Sequence, residues 1–147
     1  MSVSRFNVRV YGLLLHEGCV LVSDELINQV AITKFPGGGL QPGEGTKDGL
    51  RREIREELGL DATGLEHFYT TDFFQPSAFR AEDQIISIYY TFRVKDPAAI
   101  RNGDAAQGKD ADKGQKLRWL PLAQARREDM DLPIDRVVLG MLLRRQG

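Results

Sequence analysis

The chain has 147 residues, with 20 lysines and arginines against 21 aspartates and glutamates; its formal net charge of -1 implies no general attraction to nucleic acid or to a membrane surface. With 41% hydrophobic and 28% charged residues, residues 1–147 suit a single domain with a proper core. Cys19, the single cysteine, excludes an internal disulfide, and the opening MSVSRFNVRV has no apolar run of signal-peptide length, so a cytoplasmic location is expected.

In chain order, Phe6 to Leu15 reads as a strand with Asn7 and Arg9 on its polar side. A Glu17-Gly18 turn then leads into a second strand from Cys19 to Val22, forming a hairpin. Cys19 is expected to be a small strand residue, and His16 and His67 to have structural or surface roles. Ala31 to Phe35 leads into Phe35-Pro36-Gly37-Gly38-Gly39, where a proline and three glycines allow turns and the close backbone approach that phosphates and metals exploit.

A helix is expected from Thr46 to Leu58, capped by Gly45 or Thr46, with Gly59 where a left-handed C-cap belongs. At about 100° per residue, Leu50, Ile54 and Leu58 form an apolar stripe, and Glu53, Glu56 and Glu57 share an arc of roughly 100° beside it. Glu56 and Glu57 lie in the last turn, where the helix dipole disfavours anions, and the three carboxylates repel one another. Oxygen-only donors suit Mg²⁺ or Mn²⁺. The competing reading is a solvated charged helix in which Arg52 pairs with Glu56; the glycine loop ahead of it argues for a site.

Two further strands are expected, Glu66 to Phe74 and Ile85 to Val94, with residues 75–83 forming a polar and aromatic loop that lines a cleft. Residues 96–115 are polar, glycine-containing and without period, an unusually long connection that is either a mobile lid or a tolerated insertion. Leu117 to Leu120 is a short strand holding Trp119. Pro121 opens a short helix and Pro133 the terminal one, where Val137, Val138, Met141 and Leu142 give an apolar face.

Read as a motif, the central stretch is Gly38, five residues, Glu44, seven residues, then Arg52-Glu53-Ile54-Arg55-Glu56-Glu57-Leu58-Gly59-Leu60. This is the pattern G-x5-E-x7-R-E-U-x-E-E-x-G-U, with U aliphatic, and the chain resembles the Nudix (MutT-like) hydrolases. The resemblance implies the Nudix fold, an α/β (α+β) arrangement with a mixed β-sheet sandwiched between α-helices. It also implies a pyrophosphate-cleaving site in which Glu53, Glu56 and Glu57 hold Mg²⁺ or Mn²⁺ with the Gly37 carbonyl. Glu44 would approach the metal through water or orient the helix, Arg52 would hold a glutamate by a charge-assisted pair, and Gly38 and Gly59 would be structural. Glu53 is the first choice for general base, with Glu82, Asp110 and Asp112 as loop candidates. Gly49 stands where alanine is usual in this helix, at a cost of about 1 kcal/mol in helix propensity.

Pro76, 16 positions beyond Leu60, opens Pro76-Ser77-Ala78-Phe79-Arg80-Ala81-Glu82, which resembles the S-P-G-F-x-x-E loop of Nudix enzymes that cleave ADP-ribose, with Ala78 in place of the glycine. The expected substrate contacts are Phe35, Arg9, Phe79 and Glu82. Phe35, Phe74, Phe79 and Trp119 are candidates to stack on a base. The favoured function is hydrolysis of a nucleoside diphosphate linked to another moiety, ADP-ribose or a nucleoside diphosphate sugar, releasing a nucleoside monophosphate. The alternatives are a nucleoside triphosphate pyrophosphohydrolase and a nucleotide-sensing domain without turnover; a diphosphate isomerase of the same fold would need acid and thiol groups for which Cys19 is the only thiol. The expected partner is a small-molecule nucleotide, with no nucleic-acid polymer and no membrane, in a monomer or homodimer.

Overall fold

The computed structural model describes residues 2–111 and 114–146. Its strands are β1 (Arg5–His16), β2 (Cys19–Ile27), β3 (Val30–Lys34), β4 (Gly37–Gly39), β5 (Thr63–Thr70), β6 (Asp83–Arg93) and β7 (Lys116–Pro121). The helices are α1 (Thr46–Leu58) and α2 (Pro133–Gln146). One mixed sheet runs β3-β2-β1-β6-β5, with β4 also paired to β1 and β7 to β2. The β1–β6 pair is parallel, from Arg5 opposite Asp83 to Leu14 opposite Phe92, and the remaining pairs are antiparallel.

Strand alternation divides the core into two layers. Tyr11, Leu13, Val20, Val22 and Tyr89 pack with Ile134, Val138, Leu139 and Leu142 of α2. Val10, Leu14, Leu21, Tyr90 and Phe92 face the other way, against Leu50, Ile54 and Leu58 of α1. The apolar stripe expected on α1 is thus the stripe that is buried. Burying three such side chains contributes on the order of 5 kcal/mol or more. This packing fixes which way the neighbouring, carboxylate-bearing face of α1 points.

The expected helix bounds, Thr46 to Leu58, are those observed; Gly45 is the N-cap and Gly59 is a left-handed C-cap with φ of 70°. Thr46 does not cap the helix with its side chain, because its hydroxyl bonds the Tyr90 hydroxyl at 2.6 Å. Gly49 is buried, and a Cβ there would come within 2.6 Å of Leu40 Cδ1 and 3.0 Å of Glu44 Oε1. Packing therefore offsets the helix cost of that glycine.

Several expected bounds shift. The first hairpin turns on Glu17 and Gly18 as expected, both at positive φ, but β2 runs on to Ile27. It turns into β3 through Asn28 and Gln29, at φ of 51° and 66°. Two successive positive-φ residues close a two-residue hairpin, and Asn-Gln lacks the glycine that usually announces one. β5 stops at Thr70, short of Phe74, where Thr71 bonds to Ser87 by backbone and hydroxyl instead of continuing the ladder. Pro121 does not open a helix: it ends β7 opposite Cys19, and only a short 3₁₀ turn follows at Arg127–Asp129. Among the described residues no helix is long and apolar enough to cross a membrane.

Candidate active site

The glycine strand β4 and the carboxylate face of α1 meet on one wall of a cleft of about 530 Å³. Gly37 sits at φ of 149°, and a Cβ there would lie 2.1 Å from the Val10 carbonyl oxygen. A Cβ on Gly38 would lie 2.3 Å from Glu53 Oε1. The glycines thus let the backbone lie directly against the carboxylates, and any side chain at 38 would displace Glu53. The Gly37 contact to this cluster is its amide, which donates to Glu57 Oε2 at 3.2 Å.

Arg52 organises the second part of the box. Its guanidinium grips Glu44 through Nε to Oε2 at 3.0 Å and Nη2 to Oε1 at 2.7 Å. It also donates to the Gly39 carbonyl at 2.9 Å and to Glu56 Oε2 at 3.0 Å, and lies 3.5 Å from Glu53. Hydrogen bonds from Arg52, and then from the Gln41 amide, hold the Glu44 carboxyl below its usual range. Glu44 and Arg52 are therefore a strut between the loop and α1.

Glu53 and Glu57 line the cleft; Glu44 and Glu56 do not. Burial raises the Glu53 carboxyl, against the pull of Arg52. Burial likewise pushes Glu57 up to about 7, with Lys34 drawing it down and Glu53 repelling it. Two neighbouring carboxylates thus resist ionisation together, a condition that a cation relieves. The donors are all oxygen, which fits Mg²⁺ or Mn²⁺. Among the described residues no group of three or more acidic, His or Cys side chains already converges on one point; Glu56 is turned to Arg52 and Glu57 to the Gly37 amide.

Arg9, on β1, lines the same cleft. It bonds the Tyr11 hydroxyl at 2.7 Å, and although burial works against its charge, Tyr11, Glu53 and Glu57 more than offset this. Two cleft residues were not singled out from sequence. Lys34 is buried with its ammonium 3.3 Å from the Phe35 carbonyl and 4.0 Å from Glu25; burial opposes its charge, and Glu57 and Tyr11 outweigh that effect. Asp135, at the start of α2, is fully buried and pushed up to about 6 by that burial. It accepts hydrogen bonds from the Tyr89 hydroxyl and the Phe35 amide. A lysine at a strand end and an aspartate in a helix's first turn read as surface residues, and no local signal joins positions a hundred residues apart.

The other expected substrate contacts divide. Phe79, 53% exposed, lines the cleft with Pro76, Ser77, Ala78 and Arg80. Phe35 does not: its ring is wholly buried, edge-on to Tyr89 at 6.2 Å, because β3 turns that side chain into the α2 layer. Glu82 also lies off the cleft, paired to Arg5 at 3.0 Å, while its neighbour Asp83 faces inward. Of the candidates to stack on a base, Phe74 is exposed away from the cleft. Trp119 packs beside His16 at 5.5 Å and donates to the Ile100 carbonyl. Asp110 is exposed on the long connection and does not line the cleft, and Asp112 lies outside the described residues.

A mixed sheet between two helices, with this box at its cleft, defines a Nudix hydrolase. The NUDIX domain model matches residues 4–139, and the chain belongs to that family. It is 42% identical over 53 residues to the nucleoside triphosphatase NudI of Salmonella heidelberg (strain SL476), a match covering 34% of this chain and 38% of that protein. The chain thus spans well under half the length of this curated relative. Among solved structures it resembles a NUDIX hydrolase from Nitrosomonas europaea, with TM-score 0.70 and 17% identity over 91% of this chain and 86% of that one. It also resembles an ADP compounds hydrolase, with TM-score 0.67 and 15% identity over 96% and 75%. At these identities the two structures speak for the fold.

Proposed function

We propose that this Nudix hydrolase cleaves the pyrophosphate linkage of nucleoside triphosphates, giving a nucleoside monophosphate and pyrophosphate, with Mg²⁺ or Mn²⁺ bound through Glu53, Glu56 and Glu57. The observation that carries the reading is one cleft in which Glu53 and Glu57 stand beside Arg9, Lys34 and Arg80. A triphosphate needs cations along its length and metal ligands where it breaks. The bound metal would neutralise phosphate oxygens and lower the pKa of a water. The chain's own part is to position: Arg52 and Glu44 fix the helix against the loop, and Gly38 lets Glu53 reach the cleft. Arg9 and Lys34 bear charge towards the polyanion. Glu53 is the proposed general base, since its carboxylate lines the cleft against Gly38, where a water beside the metal would stand.

The resemblance of Pro76–Glu82 to the loop of ADP-ribose-cleaving enzymes implies an acid close to the metals, but Glu82 is engaged with Arg5 outside the cleft. The partial relative named a nucleoside triphosphatase favours the same direction. A sugar-linked diphosphate remains the second reading, favoured by the Pro76–Arg80 segment lining the cleft. The test is steady-state kcat/KM for the common triphosphates, ADP-ribose, UDP-glucose and GDP-mannose with Mg²⁺, with products resolved by chromatography. We expect at least a tenfold preference for a triphosphate, about 1.4 kcal/mol of transition-state binding, with pyrophosphate released. A tenfold preference for ADP-ribose, with ribose phosphate released, would overturn the choice. No turnover of any of these substrates would favour a sensing domain.

A further inference from the structure

The last turn of an α-helix leaves carbonyls without intrahelical partners and concentrates negative potential there. In α1 that turn carries Glu56 and Glu57, so carboxylates and orphan carbonyls crowd the same end. Gly59 supplies the ordinary remedy for one carbonyl, its amide donating to Arg55 at 3.0 Å. The next two carbonyls are reached from far along the chain: the Gly108 amide donates to Glu57 O at 2.8 Å, and the Asp110 amide to Glu56 O at 2.8 Å.

The approach is close. A Cβ on Gly108 would lie 2.0 Å from Glu56 O and 2.3 Å from the carbonyl carbon of Glu57, both backbone atoms that cannot swing aside. A Cβ on Gly59 would in turn sit 3.4 Å from the Gln107 carbonyl, so residues 107–110 lie flat on the helix end. The segment is anchored behind. Ala105 bridges to Lys116, the Leu117 amide donates to Asp104 at 2.8 Å, and the Gly103 amide donates to Leu117 at 2.8 Å. Gln115 is buried and donates to Ser23 on β2 at 2.8 Å. A tolerated insertion has no need of a glycine pressed against another element's backbone, and a lid has no need to satisfy a helix's terminal carbonyls.

We propose that residues 104–110 are a clamp that positions Glu56 and Glu57, with Gly108 and the Asp110 amide as positioning residues acting through the backbone of α1. The clamp points two N–H dipoles at the negative end of the helix and ties it to β7. This sets the backbone from which both carboxylates reach out. The inference rests on the reading that these glutamates hold the metal.

Mn²⁺ affinity, followed by electron paramagnetic resonance without substrate, tests it. Gly108→Ala should weaken binding tenfold or more, the scale on which outer supports tune metal ligands, while Lys109→Ala, an exposed position on the same segment, should stay within twofold. In the unaltered protein, NMR hydrogen exchange should show the Gly108 and Asp110 amides protected, and more so with Mg²⁺. This second readout stands even where Gly108→Ala does not fold. Unchanged Mn²⁺ affinity in a folded Gly108→Ala protein overturns the clamp alone, as do Gly108 and Asp110 amides that exchange like free loop amides. Failure of the unaltered protein to bind Mn²⁺ overturns the metal reading and the clamp with it.

Discussion

Replacing Glu57 with glutamine separates what its carboxylate does for chemistry from what it costs the fold. Burial is the main reason its carboxyl moves from 4.5 to about 7. Because the folded value lies above the unfolded one, the folded chain holds the proton more tightly. The stability this provides is complete below about 4.5 and is lost as pH rises through about 7. The interval of about 2.5 pH units, at ~1.36 kcal/mol each, sets an upper bound of roughly 3–4 kcal/mol. Glutamine keeps an acceptor for the Gly37 amide but gives up the attraction of Lys34. About half the bound, ~1.5 kcal/mol, is therefore expected as a net gain at pH 8, or roughly 3–6 °C in Tm for a domain of this size. At pH 5 little of that gain should remain. The assay is thermal unfolding by circular dichroism in chelator at both pH values, beside turnover with Mg²⁺ at pH 8, which should fall by about 10²-fold or more. If the variant melts below the unaltered protein by the same margin at pH 5 and pH 8, the carboxylate is ionised and stabilising, and the electrostatic account of the site is wrong.

Mg²⁺ or Mn²⁺ should raise Tm by mass action, because only the folded chain gathers the acids; an equal rise in Glu56→Gln/Glu57→Gln would place the metal elsewhere. Arg52→Lys cannot reproduce the forked grip on Glu44 together with the bonds to Gly39 and Glu56. Metal titrations of activity should therefore show at least a tenfold weaker apparent metal affinity or a tenfold lower rate, and wild-type values would reduce Arg52 to a bystander. Glu82→Gln should leave kcat within twofold, since its carboxylate is engaged with Arg5 outside the cleft; a loss of about 10²-fold in single-turnover rates would return Glu82 to the role of base.

What was legible in the sequence is what is local. The α1 helix carries its own start, stop and stripe within thirteen residues, and burial of Leu50, Ile54 and Leu58 follows from that periodicity. Strand limits are less legible because they depend on partners: β7 pairs β2 as far as Asp24, and β3 alone carries it on to Ile27. The 96–115 connection reads locally as lid or insertion because the acceptors of its Gly108 and Asp110 amides, the carbonyls of Glu57 and Glu56, lie some fifty residues earlier. Nothing in a stretch of alanine, aspartate and glycine announces an acceptor that is another element's backbone.

The cleft carries the same lesson for charge. Read locally, Lys34 precedes a glycine loop and Asp135 follows a proline, each an ordinary surface position. The β3–α2 junction buries both and sets them near Tyr89, Tyr11 and Glu25. A chain with net charge of -1 has no overall field with which to draw in a polyanion, so attraction must come from where its charges stand. Arg9 and Lys34 hold their protons in spite of burial because Glu53, Glu57 and Tyr11 lie beside them. Glu57 yields its own less readily for the same burial. The cleft thus holds both signs of charge side by side, and on the proposed reading a divalent cation arriving with a polyphosphate would add both signs together. That pairing, rather than either charge alone, is what such a cleft accommodates at least electrostatic cost.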